Sequence, residues 1–561
     1  MSDPVVELRS LIQEEEQRVR GSFTGPRQRA VLELTRSIDV DFTFASAIAA
    51  SAAPASLASE HIDVREYGSN KALGLFTDDW CSTPYALLYP SEREAEKWAD
   101  SAIQHCGRLG YCEMGLDMVR YGLADLRKLE PSSYEFVMRK GAGVEAVERQ
   151  EIDFIRHVVQ EMDKDAWKAI NLARPDVMEQ MSELVYVWRG HFPGHDTTPD
   201  IDNFYEKFGV FWGRQGYGQD SFPGDATFGG RPFGFYRAVV TMLIGFALKH
   251  IDFMTVLAER YPDLRPRNLL TVFIDRHSLA VTLSELLGAS RQDAEEALSV
   301  LTLCGKNVSR HSFTQAHSIP LIRTGENTIV RSVAGVLANP WDFLVTELRA
   351  RFPADWDRAV SRRESMFRKE LYDLFPEQRF LKVSGPVRVR YGDGGVRTDI
   401  DATIYDRSTG HLGLFQLKWQ DGFGSSMRMR ESRKSNLMDK GNAWVEAVHS
   451  WLLNADSRTL TQHFRLSAKS NLSVDDSRLF VIGRNFAHFS GSSGADDKAA
   501  WGMWPQLVRL IVEAPSRDDP IGHLFDELRR DKPHARAESL MASIEEEELE
   551  ISGNQIRFRG M

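Results

Sequence analysis

The sequence predicts a C-terminal α/β domain with an αβββαβ core and a mixed sheet, preceded by a largely α-helical N-terminal region and a winged-helix-like middle. Three observations carry this prediction. Apolar residues recur at helical spacing through most of residues 1–265, two short capped helices and a strand-turn-strand occupy residues 266–340, and helical and alternating patterns then succeed one another in a fixed order over residues 341–530. Residues 531–561, with the run Glu545 to Glu548, are expected to form an acidic tail, the run itself reading as a solvated helix.

A chain of 561 residues has room for several cores, and its composition, 42% hydrophobic and 27% charged, is that of a globular protein. A formal net charge of −11 argues against general coating of nucleic acid, which needs Lys and Arg against phosphate, but leaves room for a local basic groove. Cys81, Cys106, Cys112 and Cys304 form no CxxC pair, so reduced thiols are expected rather than a zinc ribbon or a disulfide framework. The opening Met1-Ser2-Asp3-Pro4 leads into a charged helical pattern rather than an apolar signal core. The longest apolar run, Ala238 to Leu248, is too short to span a bilayer and reads as a buried helix. A cytoplasmic protein with no membrane partner is the expectation.

Along the N-terminal region, Val5 to Ser37 has helical spacing interrupted at Gly25-Pro26. The Ala/Ser-rich stretch Ala45 to Ser59, broken by Pro54, reads equally as a linker or a small-residue helix. Amphipathic helices follow at Ser91 to His105 and Gly143 to Asp163, and these are expected to build a core. His191-Phe192-Pro193-Gly194-His195-Asp196 resembles a metal cluster, yet Pro193 and Gly194 preclude helical ligand spacing, so an ordinary turn is preferred. The Gly- and aromatic-rich segment Trp212 to Phe235 matches no phosphate-binding pattern and reads as a surface loop. This region is the expected surface for a protein partner or a second copy of the chain.

In the middle, Ser278 caps a helix through Leu287, Gly288-Ala289-Ser290 breaks it, and Ser290 with Asp293 opens a second helix through Leu303. Pro320 to Arg323 and Thr328 to Val330 then read as strands around a turn, completing a winged-helix-like pattern. Asp293, Glu295 and Glu296 on the second helix would repel phosphate, so packing or protein contact is favoured over DNA reading.

Beyond Asn339-Pro340-Trp341, a helix from Ser361 to Phe375 places Glu364 at the border of the stripe Phe367, Leu371, Phe375. A strand spans Arg379 to Arg390, and a hairpin spans Thr398 to Trp419 around a turn with Ser408, Thr409 and Gly410. A helix, roughly Asn436 to Leu453, and an apolar strand, Arg478 to Gly483, follow. A further helix is expected from Trp501 to Val512, with Pro505 in its first turn, after an exposed loop at Ser490 to Gly494. Strand alternation turns Gln416 and Lys418 to one face with Leu417 opposed, and Asp399 to the face of Asp401.

This order, with an acid on the second strand and an x-Lys pair on the third, resembles the PD-(D/E)xK, or restriction-endonuclease-like, nuclease superfamily over about 130 residues from Trp356 to near Asn485. The resemblance implies that Asp401 is the main metal ligand, that Gln416-Leu417-Lys418 stands for the (D/E)xK, and that Glu364, in competition with Glu370, is the helical acid. Gln416 replaces the usual acid, which removes a negative charge from the site; similar Gln-x-Lys sites occur in some members. The implied cofactor is Mg²⁺, or Mn²⁺ in its place, because hard cations take carboxylate and carbonyl oxygens and activate water. Lys418 would position that water or stabilise developing phosphorane charge. From Trp356 to Lys440 there are 17 Lys and Arg against 12 Asp and Glu, a local excess of +5. Arg428, Arg430, Arg433, Lys434 and Lys440 lie just after the lysine strand, where a nucleic-acid backbone would pass. The expected function is therefore metal-dependent hydrolysis of DNA phosphodiesters, in restriction or defence against foreign DNA. The alternative is a restriction-endonuclease-like module that has lost catalysis and binds nucleic acid or supports assembly.

Overall fold

The structure is a computed structural model, and it describes residues 3–49, 56–78, 90–139, 146–189, 192–216, 218–312, 319–390, 396–420, 427–466, 472–490, 494–513, 518–530 and 547–559. Pro54, Cys81, His191, residues 491–493 of the expected loop and Glu545 and Glu546 lie outside the described residues.

Four long helices open the chain, Pro4–Gly21, Arg27–Ala49, Ser56–Phe76 and Arg93–Arg120. Asp3 caps the first by accepting from the Val5 N–H at 3.0 Å, with Pro4 in the first turn where its missing N–H has no bond to lose. The Ala/Ser-rich stretch is helical at both its ends, up to Ala49 and from Ser56. Ser56–Phe76 and Arg93–Arg120 pack so closely that a Cβ at Gly68 would collide with the Ile103 carbonyl, so only glycine fits there. Cys106 and Cys112 are buried as free thiols in this core.

The middle of the chain is organised around Phe233–Arg260, a helix of 28 residues. It is long and apolar enough to cross a membrane, yet 67% of its most apolar window is buried within the protein, and its residues form the centre of a core. Strand Val272–Asp275, helices Arg276–Leu287 and Arg291–Val300, and strands Leu321–Arg323 and Thr328–Arg331 pack against it. The sheet order here places Thr328–Arg331 between Val272–Asp275 and Leu321–Arg323, both antiparallel to it. Two details differ from expectation. Asp275, not Ser278, is the cap of the first helix, and the second helix ends at Val300 because Thr302–Leu303 leave it to form a short edge strand. Ser290 caps as expected, accepting from the Asp293 N–H at 3.1 Å.

The core does not break at residue 265 or residue 340. One continuous cluster runs from Ile201 and Tyr205 through Leu243, Leu298, Ile329 and Leu344 to Trp356, so the middle is a packed part of the helical region rather than a free-standing module. The Gly- and aromatic-rich segment is also not a surface loop: Phe222, Phe228 and Phe233 are buried against one another, and Phe222 and Phe228 pack on Trp356. His195 lies in a strand, Phe192–His195, paired with Val185–Trp188, and stacks on Phe253 at 3.7 Å between ring centres.

The C-terminal domain is an α/β unit built on a five-stranded mixed sheet. In spatial order its strands are Phe380–Lys382, Ala402–Asp406, Leu412–Lys418, Ser477–Gly483 and Ala499–Met503. The first three are antiparallel neighbours and the last three run parallel. Helix Lys440–Asn454 covers one face through Trp444, Val445 and Val448, while helix Pro353–Asp373 covers the other through Phe367 and Leu371, joined by Leu524 and Leu528 of helix Pro520–Arg530. Leu412–Lys418 is therefore central and covered on both sides, and it is apolar almost throughout. The stretch expected as one strand from Arg379 to Arg390 is two, because Gly385 at φ +74° turns the chain; Val387–Arg390 pairs with Val396–Ile400 as a separate ribbon. Trp501 belongs to the fifth strand, and the following helix is Trp504–Glu513 with Pro505 in its first turn.

The described part of the tail, residues 547–559, is not a solvated acidic helix. Glu547–Ile551 and Asn554–Arg559 form a hairpin whose second strand runs parallel to Ser133–Met138, closing a four-stranded sheet with Ala124–Glu130. Ile551, Ile556 and Phe558 are buried there against Leu8, Leu109 and Phe136 of the N-terminal region.

Candidate active site

The site forms where the hairpin changes sheets. Val396–Ile400 belongs to the ribbon and Ala402–Asp406 to the main sheet, so Asp401 stands at a bend between two strands. Its N–H donates to the Phe415 carbonyl at 3.0 Å, which keeps the bend pinned to the lysine strand. The Asp401 side chain is 3% exposed. Its Oδ2 accepts the Leu417 N–H at 2.7 Å and a bond from the Gln416 amide nitrogen.

Glu364 is brought to the same place by Arg368, one turn further along helix Pro353–Asp373. The Arg368 guanidinium donates to Glu364 Oε1 at 2.7 Å and to the Asp401 carbonyl oxygen, tying the helix acid to the bend. The competing acid, Glu370, faces elsewhere and pairs with Arg484. Asp399 is also within electrostatic reach of Asp401, and its carbonyl accepts from the Trp444 indole at 2.6 Å.

Burial, with the charges of Glu364 and Asp399 adding to it, pushes the Asp401 carboxyl up to about 7, against the Leu417 N–H and the Lys418 charge, which favour ionisation. Burial also lowers the Lys418 ammonium, helped by Lys440 and opposed by Asp401, Asp399 and Glu364. Both shifts describe the same condition: a carboxylate and an amine held in a poorly hydrated pocket, each carrying charge at a cost.

The basic residues expected to meet a nucleic-acid backbone separate into two groups. Arg428 and Lys440 are exposed, while Arg433 and Lys434 are partly so, with Lys434 bonded to Glu431 at 3.1 Å. Arg430 is not on that surface. It is 1% exposed, bonds both Glu148 and Glu431, and donates to the Ser490 carbonyl at 2.9 Å, so it is an internal tie. The helix bearing these residues begins at Met427, earlier than expected, and widens to a π-turn over Ser435–Asp439 before continuing as Lys440–Asn454. Such a widening inserts a residue and re-aims the side chains around it, and it is common near functional sites.

Two participants were not singled out by the sequence. Arg368 stands four residues after Glu364, the spacing of a helical ion pair, which is a signal the sequence does contain. Arg484 follows the fourth strand and donates its N–H to the Lys418 carbonyl at 2.8 Å; no local pattern announces that contact, because it arises from parallel pairing across 66 residues.

Among the described residues no group of three or more His, Cys, Asp or Glu side chains is gathered as a metal cage. The donors at the bend are instead two carboxylates, Asp401 and Glu364, and the Gln416 amide, with Asp399 behind them. This set fits a hard divalent cation in its chemistry, since a bound cation would offset both the burial that chiefly raises Asp401 and the repulsion from Glu364 and Asp399 that adds to it. Gln416 presents nitrogen to Asp401 and would have to turn its amide over to offer oxygen. Comparison of the chain with family models, curated proteins and solved structures finds no match.

Proposed function

We propose that the C-terminal domain is a metal-dependent nuclease of the restriction-endonuclease-like type that hydrolyses DNA phosphodiesters in the cytoplasm, in restriction or defence. The observation that carries this reading is the contact of Gln416 with Asp401 at the hairpin bend, with Glu364 tied to that bend through Arg368 and Lys418 close enough to feel the charge of Asp401 and Glu364. Asp401 and Glu364, with Gln416 as a neutral third donor, would hold Mg²⁺ or Mn²⁺. When bound, the cation would supply Lewis-acid polarisation of the phosphate and an activated water. Lys418, with its charge disfavoured by burial, would hold that water or meet charge developing on the phosphoryl oxygens. Arg368 is a positioning residue, because it fixes both the bend and Glu364. Arg428, Arg433, Lys434 and Lys440 would contact the backbone of the substrate.

Residues 272–331 run strand, helix, helix, short strand, short helix, strand, strand, an order like that of a winged helix with two insertions, and we assign the unit a packing role because Ala294, Ala297 and Leu298 of the second long helix are buried. Asp293 and Glu296 pair with Arg231, which leaves an acidic helix poorly suited to a phosphate backbone.

The second reading, a binding or assembly module without catalysis, draws on one observation: Asp401 Oδ2 is already satisfied by Gln416 and Leu417 without a cation. Plasmid incubated with the protein and Mg²⁺ separates the two. Cleavage that is lost in both Asp401→Ala and Lys418→Ala is the expected result. Cleavage that persists in those variants removes the site, and DNA binding without any cleavage favours the second reading.

A further inference from the structure

We infer that the helical region contains a binding site for a small phosphorylated molecule, with Arg237 as the residue that receives the phosphate. A cavity of about 590 Å³ lies beside the first turn of Phe233–Arg260, walled by Val159, Met162, Val210 and Trp341. It shares Val159, Arg214 and Gln219 with a smaller hollow of about 120 Å³ that extends to Arg484 and Asn485 at the edge of the C-terminal domain. A volume of this size, apolar walls and a few converging polar groups are the attributes of a small-molecule site.

One charge at its wall stands without a partner among the described residues. Neighbouring arginines are matched: Arg214 to Asp163, Arg484 to Asp220 and Arg362 to Asp225. Arg237 lines the cavity and has no ion pair or hydrogen bond among the described residues. The Gln219 side chain is likewise unpaired among the described residues. Asp163, the carboxylate in the same lining, is taken up by Arg214, which leaves the Arg237 guanidinium to match an oxyanion with its planar fork in two bonds. Two backbone donors at this helix start, the N–H groups of Phe233 and Gly234, are taken by the carbonyls of Ala226 and Gly224. Arg237 is the fifth residue of the helix, just past its first turn.

Trp341 supplies a fixed apolar wall, its indole N–H donating to the Gly213 carbonyl at 3.2 Å. An oxyanion head on Arg237 with an apolar or ring body against Trp341 and Val210 is the occupant this arrangement fits, and either a nucleotide or a sugar phosphate meets that description. The site also has a mechanical connection. Helix Ala146–Met162, whose last turn contributes Val159 and Met162, carries near its start Glu148 and Glu151, which bond Arg430 and His488 of the C-terminal domain. An occupant would therefore press on the helix that holds that domain.

The test uses the full chain and does not depend on nuclease activity. Phenylglyoxal labelling is followed by mass spectrometry at Arg237, with exposed Arg358 as internal control, in the presence of inorganic phosphate, AMP or glucose 6-phosphate at millimolar concentration. Protection of Arg237 but not Arg358 is expected, and AMP against glucose 6-phosphate distinguishes the nucleotide from the sugar source. The protecting compound should bind about tenfold more weakly or worse to Arg237→Gln. Because Arg237 has no partner to lose, that variant should melt like the parent without ligand. Absence of protection by all three compounds, or equal binding by parent and variant, overturns the inference.

Discussion

At the scale of single residues, Asp401 is where stability and function oppose one another. Its carboxyl is raised from 3.8 to about 7, so the folded state prefers it protonated. The stability this contributes is complete below about pH 4 and is lost as pH rises through about 7. At about 1.4 kcal/mol per unit, ionisation at pH 8 costs the folded state up to about 4 kcal/mol. Asp401→Asn keeps an acceptor for the Leu417 N–H and removes the charge. It should stabilise the C-terminal domain at pH 8 by about 1 to 4 kcal/mol, have little effect near pH 4, and abolish cleavage; thermal melts at the two pH values read the first two effects. Mg²⁺ should raise the melting point of the parent at pH 8 and leave the variant unmoved. A variant less stable than the parent at pH 8 would show that the carboxyl is not under strain. The main members of this cluster were legible because their signals are local: Gln416 and Lys418 by strand alternation, Glu364 by its border position on an amphipathic helix. Arg430 was misread for the opposite reason. Its basic neighbourhood is local, but its burial is decided by Glu148, 282 residues earlier.

Elements were legible where their own side chains announced them. Leu412–Lys418 and Ser477–Gly483 are apolar strands with turn signals at hand, and both were expected. The fifth strand, Ala-Ala-Trp-Gly-Met, has no β-branched residue and is a strand because Ser477–Gly483 offers it an edge. The break inside the expected strand from Arg379 to Arg390 likewise depends on where each half finds a partner, with Phe380–Lys382 in the main sheet and Val387–Arg390 in the ribbon. The end of the fourth strand supplies a test at this scale. A Cβ on Gly483 would strike the carbonyl oxygen of Phe486, a backbone atom that no rotamer change can move aside. Gly483 pairs with Lys418, and the next residue, Arg484, donates to the Lys418 carbonyl. Gly483→Ala should therefore destabilise the domain by about 2 kcal/mol or more and reduce cleavage by displacing Lys418. Gly494→Ala, at a site with open space around it, is the control and should change neither. A Gly483→Ala protein with the parent's melting point would refute the collision.

Across the whole molecule the C-terminal domain is bound to the rest of the chain by buried polar ties and by a shared sheet. Glu148 meets Arg430, the Ser490 hydroxyl at 2.7 Å and the Ser490 N–H at 3.2 Å; Glu151 meets His488 at 2.9 Å and the Ala487 N–H at 3.0 Å. The terminal hairpin, 547–559, completes a sheet whose other strands lie at 124–138. A fragment beginning at residue 341 would leave Arg430 without Glu148, give the hairpin no sheet to join and cut through the core cluster that ends at Trp356 and Ala359. It should be insoluble, so truncation does not separate the role of the helical region from that of the domain. Point changes do. Removing one partner of a buried pair strands the other charge and costs about 3 to 5 kcal/mol, whereas removing both avoids that penalty. Arg430→Met and Glu148→Gln should each lower the unfolding free energy by about 3 kcal/mol, and the double variant by much less than their sum. Denaturant melts of the four proteins measure the coupling. Additive losses would mean that Arg430 and Glu148 stabilise the chain independently, and the tie between helix Ala146–Met162 and the C-terminal domain would then lie with Glu151 and His488 instead.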